Sequence, residues 1–138
     1  MPQLRLASWN VNSLKVRLPQ VLEWLELSRT DALVLQETKL TDDLFPTEAF
    51  LEAGFDAVFT GQKTYNGVAL ISRRSTVKAP EAVELNIPGY PDDQKRFVSA
   101  LLTPVAGGEP IRFCGAYFPN GQEIGTSKYL YKLDWIST

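Results

Sequence analysis

Histidine is absent from the 138 residues, and cysteine occurs once, at Cys114. Without histidine the chain cannot itself supply Ser-His or Cys-His catalysis, and most zinc sites are excluded from it. A lone cysteine excludes an internal disulfide. Cys114 lies in the apolar run Ile111-Arg112-Phe113-Cys114-Gly115-Ala116, where the expected role is that of a buried thiol acting as a small hydrophobe. No apolar run approaches the length of a membrane span. The opening Met1-Pro2-Gln3-Leu4-Arg5 lacks the basic and then apolar pattern of a signal peptide, so a cytoplasmic protein without membrane attachment is the expectation. Excess charge is lacking as well. A net charge of −2 does not point to nucleic acid, whose usual footprint is a basic balance. Lys15, Arg17, Lys39, Lys63, Arg73, Arg74, Lys95 and Arg96 fall in or beside expected loops, and composition alone reads them as solvated surface.

What is present suits one α/β domain. Hydrophobic residues make up 44% and charged residues 22%, which places the chain among globular rather than disordered sequences. Leu4–Asn10 reads as a strand, with Leu4 and Leu6 on one face and Ala7 and Trp9 on the other. Leu18–Ser28 reads as a helix with Pro19 in its first turn and a core face of Val21, Leu22, Trp24, Leu25 and Leu27. Ala32–Leu35 is a short continuous apolar run, the mark of a strand covered on both sides. A helix is expected over Thr47–Ala53, closed by Gly54, and strands over Phe55–Thr60 and Gly67–Ser72. Thr76–Lys95 reads as loop, with Pro80, Pro88, Pro91 and the pair Asp92-Asp93. Phe97–Leu102 and Ile111–Tyr117 form an expected hairpin around Gly107-Gly108. After the polar stretch Pro119–Ser127, a helix begins at Lys128 with Tyr129, Leu133 and Ile136 spaced for one face. It runs to Ser137-Thr138 without a cap, which reads as a chain cut inside a helix.

Loops at the carboxyl ends of strands converge on a crevice in mixed α/β sheets. Here those ends are Trp9-Asn10-Val11-Asn12, Gln36-Glu37-Thr38-Lys39 and Tyr117-Phe118-Pro119-Asn120-Gly121. Singly, Asn10 reads as a turn former, Glu37 as a solvated charge and Tyr117 as a core aromatic with its hydroxyl outside. Jointly they form a donor set: one carboxylate with amide oxygens and waters suits Mg²⁺, a hard cation that keeps several waters. Such an ion polarises a phosphoryl oxygen, while phenol and amide groups hydrogen-bond the phosphate without charge of their own.

Four blocks carry a resemblance: Trp9-Asn10-Val11-Asn12-Ser13-Leu14; Leu35-Gln36-Glu37-Thr38-Lys39; Gly61-Gln62-Lys63 with Tyr65-Asn66-Gly67-Val68-Ala69; and Tyr117-Phe118-Pro119-Asn120-Gly121. In order and spacing they resemble the signature blocks of exonuclease III and the related apurinic/apyrimidinic endonucleases. Val16-Arg17-Leu18-Pro19-Gln20-Val21 looks most like the bacterial members. The resemblance implies metal ligation by Asn10 and Glu37, contact of Tyr117 with the scissile phosphate, and a neighbouring Asn120 facing DNA. It implies that Asn12 is hydrogen-bonded into the site and that Lys39 positions its charges, both beside the DNA. Gln62, Lys63, Tyr65 and Asn66 match a loop along the DNA backbone, and Arg96 resembles a phosphate-contacting arginine.

For the fold, the resemblance implies part of a four-layered α/β sandwich of the endonuclease/exonuclease/phosphatase type, two sheets face to face with helices outside. For the activity, it implies a Mg²⁺-dependent phosphodiesterase of DNA repair (Mn²⁺ being a possible substitute). That activity would be 3′–5′ exonuclease, abasic-site endonuclease or 3′-phosphatase, on duplex DNA with abasic sites or 3′ ends. The family's Gly-Asp-x-Asn and Ser-Asp-His motifs do not occur in the 138 residues. Residues 1–138 therefore read as the N-terminal portion of a single domain, inactive alone, whose second sheet needs the C-terminal half or a partner subunit to cover it. Two other readings compete: a non-catalytic nucleic-acid-binding relative, and a phosphoesterase of the same fold acting on lipid or nucleotide phosphates.

Overall fold

The computed structural model describes residues 3–62, 65–87, 94–118 and 127–137, the side chains of Ser127 and Tyr129 excepted. In chain order the elements are β1 (Leu6–Asn10), α1 (Leu14–Ser28), β2 (Ala32–Gln36), a 3-10 turn (Asp42–Leu44), α2 (Thr47–Glu52), β3 (Phe55–Thr60), β4 (Val68–Arg73), β5 (Glu81–Glu84), β6 (Phe97–Leu102), β7 (Ile111–Ala116) and α3 (Ser127–Ile136). The strands make two sheets, ordered β1-β2-β4-β3 and β5-β6-β7. β1 and β2 are parallel, as a strand–helix–strand crossover allows; every other pairing is antiparallel. Among the described residues no helix is long and apolar enough to cross a membrane.

β2 shows why the layers form. Its continuous apolar run alternates between two cores. Leu33 and Leu35 pack with Leu14, Val21 and Leu25 of α1 and with Phe45, Phe50 and Phe55. Ala32 and Val34 pack with Val68 and Leu70 of β4 and with Val98, Ala100 and Leu102 of β6. A helical layer, a first sheet and a second sheet are thus stacked in that order. The sheets approach closely where Gly115 of β7 meets Val34: a Cβ built on Gly115 would lie 2.2 Å from Val34 Cγ1. Gly115→Ala is therefore expected to force the sheets apart and to cost about 1–3 kcal/mol as overpacking. Urea unfolding checks this, and an unchanged midpoint would show that the sheets can separate freely there.

Several expectations from the sequence need correction. α1 starts at Leu14 rather than Leu18, which places Pro19 inside the helix. Asn12 and Ser13 have φ of 45° and 93°, and the Ser13 and Leu14 N–H groups donate to Glu37 and Thr38 carbonyls, so the helix is launched from the end of β2. Its buried stripe is Leu14, Val21 and Leu25. Leu27 is 74% exposed, and Trp24 sits at the rim, edge-on to Trp9 with ring centroids 5.9 Å apart.

β5 was hidden in the expected loop. It is a solvent-facing edge strand whose register shifts between Glu81 and Glu84, and Ala82 has a φ of 49°, so no apolar alternation marks it. The second sheet accordingly has three strands rather than a hairpin alone. Cys114 is exposed, not buried: Phe113 and Gly115 turn inward, so alternation turns Cys114 out. Arg73 is half-buried rather than solvated. Its Nε donates to Thr30 O at 3.1 Å, its Nη2 donates to Leu25 O near the end of α1, and its guanidinium lies 4.9 Å from the Phe55 ring centroid. On α3, Leu133 and Ile136 are exposed and Trp135 is buried.

Candidate active site

The carboxyl ends of β1 and β2 and the start of β4 carry a cluster of left-handed residues: Asn12, Ser13, Glu37, Lys39 and Asn66. Each such residue costs on the order of 1 kcal/mol or more, so their concentration at one place is held by surrounding structure. The holding bonds are backbone ones. Ser13 N donates to Glu37 O at 2.8 Å, Thr38 N to Gly67 O at 3.2 Å, Lys39 N to Asn66 O at 3.0 Å, and Gly67 N to Lys95 O at 2.8 Å. Gly67 is required here, with a φ of +92° and its missing Cβ position 2.1 Å from Thr38 Oγ1.

That backbone aims Glu37. Strand alternation would send its side chain to the helical side with Leu33 and Leu35, but a φ of 56° breaks the alternation. The Tyr117 hydroxyl, arriving from the end of β7, donates to Glu37 Oε1 at 2.6 Å. Asn10 ends β1 opposite Gln36, on the neighbouring parallel strand. The Asn12 N–H donates to Asn10 Oδ1 at 3.1 Å, and Lys39 Nζ donates to Asn12 Oδ1 at 2.6 Å. Glu37 and Tyr117 thus meet directly, and Asn10, Asn12 and Lys39 are linked to one another at the neighbouring strand ends. Burial raises the Tyr117 pKa above its usual 10.0, the hydrogen bond and charge of Glu37 raise it further, and Arg96 opposes both. Tyr117 is therefore a neutral phenol, a donor, at ordinary pH.

Arg96 stands beside this pair. Its Nη1 donates to Tyr117 O at 3.1 Å and its Nε to Gln94 Oε1 at 2.9 Å. The guanidinium lies 5.0 Å from the Tyr117 ring centroid and 5.5 Å from that of Tyr131. A cleft of about 410 Å³ opens there, lined by Glu37, Tyr65, Asn66, Gln94, Arg96, Tyr117, Lys128 and Tyr131.

The loop residues divide. Tyr65 is 69% exposed at the rim. Asn66 is buried, and its Nδ2 donates to Gln62 Oε1 at 3.1 Å; the same oxygen accepts from Lys95 N at 2.8 Å. Gln62 thereby ties its loop to the segment leading into β6. Lys63 and Asn120 lie outside the described residues, as do Pro88, Pro91, Asp92 and Asp93. Gln94, Lys128 and Tyr131 line the cleft without having been singled out in the sequence. The available signal was the four-residue spacing of Tyr131 and Trp135, which puts both on one helical face.

The two metal ligands that the sequence resemblance implies, the Glu37 carboxylate and the Asn10 amide, lie at adjoining strand ends. Among the described residues no group of three His, Cys, Asp or Glu side chains could hold an ion. One carboxylate with one amide oxygen, neither soft nor imidazole, fits a small hard divalent cation that keeps its waters.

Known proteins share this arrangement of chain. The model of the Endonuclease/Exonuclease/phosphatase family matches residues 7–127. Exodeoxyribonuclease III of Haemophilus influenzae is 31% identical over 120 residues, covering 86% of this chain and 43% of that protein. Among solved structures, the 3′ phosphatase NExo from Neisseria bound to a product DNA hairpin aligns with a TM-score of 0.86 at 40% identity, over 98% of this chain and 49% of that one. An AP endonuclease from Archaeoglobus fulgidus aligns with a TM-score of 0.84 at 36% identity, over 98% and 49%. The chain spans about half the length of the relatives it matches.

Proposed function

The chain belongs to the Endonuclease/Exonuclease/phosphatase family, and from that premise we propose that it forms the metal- and phosphate-binding part of a DNA-repair phosphodiesterase. The observation that carries the reading is the Tyr117–Glu37 hydrogen bond of 2.6 Å, set beside Arg96 in an open cleft. It joins a phosphate donor to a metal carboxylate. Exonuclease III, AP endonuclease and 3′ phosphatase relatives support the substrate class: duplex DNA with abasic sites or 3′ ends.

Glu37 and Asn10 would hold the divalent cation, Mg²⁺ by the hardness of its donors, with Mn²⁺ as a substitute. When bound, such an ion supplies polarisation of a phosphoryl oxygen and offsets charge on the leaving oxygen. The chain's own groups do the rest. Tyr117 stays protonated and can turn its O–H from Glu37 to a phosphate oxygen. Arg96 presents a planar fork suited to two phosphate oxygens. Lys39, through Asn12, fixes the Asn10 end of the site and adds positive charge beside it. In this reading Tyr65 and Lys63 would lie along the DNA backbone, and Asn120 would face the DNA as the catalytic neighbour of Tyr117. A histidine and a water-activating aspartate of the kind the resemblance calls for do not occur in these 138 residues, so the chain alone is proposed to be inactive. The outer side of the second sheet, where Cys114 and Arg112 are exposed, would be covered by further chain or a partner subunit. The protein is proposed to work in the cytoplasm.

A non-catalytic nucleic-acid binder of the same fold is the second reading. Glu37 argues against it, since a carboxylate in a phosphate cleft repels the ligand unless a cation bridges them. The test uses the complete natural protein on duplexes carrying an abasic site, a recessed 3′ end or a 3′-phosphate, with Mg²⁺ or with a chelator. Mg²⁺-dependent product from at least one duplex is expected. Tight binding with no cleavage of any of them would give the second reading its case.

A further inference from the structure

Building on the phosphodiesterase reading, we infer that Tyr131 of α3 is a positioning residue that holds Arg96 in the orientation a DNA phosphate requires. Arginine has many rotamers, and fixing one costs conformational entropy at the moment of binding unless the protein has fixed it already. Arg96 is fixed on several sides. Two of its N–H groups are committed to Tyr117 O and Gln94 Oε1, at 3.1 Å and 2.9 Å. Two aromatic rings, those of Tyr117 and Tyr131, stand 5.0 Å and 5.5 Å from its Cζ. The Tyr117 ring also serves Glu37 through its hydroxyl, whereas the Tyr131 ring reaches Arg96 from a different element, α3.

The position of Tyr131 is itself built. One helical turn further on the same face of α3, Trp135 is 5% exposed and packs edge-on against Phe118, ring centroids 5.1 Å apart. Phe118 directly follows Tyr117. The dipeptide after β7 therefore docks the helix with one ring and reaches Glu37 with the other. α3 is thereby registered against the cleft, with Lys128 and Tyr131 among the lining residues. A quadrupolar ring near a guanidinium also adds attraction that an aliphatic side chain lacks.

The test uses the complete natural protein and follows kcat and KM on the preferred duplex. Tyr131→Phe keeps the ring and is expected to leave both constants within about twofold. Tyr131→Leu is expected to raise KM about 3- to 10-fold, the worth of one cation–π contact, with kcat nearly unchanged. On an Arg96→Met background Tyr131→Leu is expected to add nothing, because its effect passes through Arg96. An undiminished effect on that background, or equal effects of phenylalanine and leucine, overturns the inference. Should the leucine variant fail to fold, pentafluorophenylalanine at position 131 keeps the shape and reverses the quadrupole; an unchanged KM would then overturn it. A wild-type protein that cleaves no DNA overturns the phosphodiesterase reading and this inference together. Active wild type with additive variants overturns this inference only.

Discussion

In the complete natural protein, Glu37→Gln is expected to lower kcat on duplex DNA by about 10²- to 10³-fold while DNA affinity stays within about threefold. The substitution separates charge from shape. Gln has the same length, tolerates the same left-handed φ of 56° no worse than Glu, and still offers an oxygen to the Tyr117 hydroxyl. What it removes is the one anionic ligand of the proposed metal site, and a neutral amide holds a hard cation far less firmly. Affinity depends mainly on contacts to backbone phosphates, which are made elsewhere, and losing a negative charge in the cleft slightly favours DNA. Titrating Mg²⁺ at fixed substrate should show a higher metal requirement for the variant, with melting temperature little changed. Full turnover at limiting Mg²⁺ would remove Glu37 from metal binding.

The meeting of Glu37 and Tyr117 was legible because each directly follows a strand, β2 and β7, and loops at strand ends converge. β3 and β6 could be bounded from sequence because both are flanked by polar or glycine-containing breaks. The aim of Glu37 was not legible. Period-two alternation predicts the wrong face, and the correction lies in a backbone angle stabilised by Ser13, Thr38, Asn66 and Gly67, residues brought together only by the fold. The start of α1 was missed for a related reason. Asn12-Ser13 looks like loop, yet the helix behind it begins at once because β2's end accepts its first N–H groups.

The cleft wall on α3 was also hidden. Apolar spacing favoured Leu133 and Ile136, but the face that packs is set by Trp135 against Phe118, a contact between residues 17 positions apart. By composition alone Arg73 and Arg96 both read as solvated surface, and only the resemblance set Arg96 apart. Arg73 ended as a cap on α1 and a lid on Phe55, a role that only tertiary placement reveals, and Arg96 as a cation in the cleft.

In the complete natural protein, Tyr117→Phe is expected to lower kcat by about 10²-fold, with KM changed much less. The ring remains, so its packing in the inter-sheet core and its place beside Arg96 are kept. The hydroxyl is what goes, and the loss of one pre-placed donor to a phosphate oxygen typically costs about that factor. The pH behaviour follows from the same atom. Burial comes first in raising the Tyr117 pKa, followed by the hydrogen bond to Glu37 and its charge, with Arg96 pulling the other way. Because the folded value lies above the usual 10.0, the O–H donor and any stability it brings are fully present below that value. Both are lost as pH rises through the higher folded value. Activity that depends on this donor should therefore show no loss from Tyr117 across neutral and mildly alkaline pH. The phenolate absorbance of wild type minus that of Tyr117→Phe should report one tyrosine titrating above 10.0. A difference titration below that value, or a phenylalanine variant with wild-type kcat, would show that the hydroxyl serves Glu37's position alone and not the phosphate.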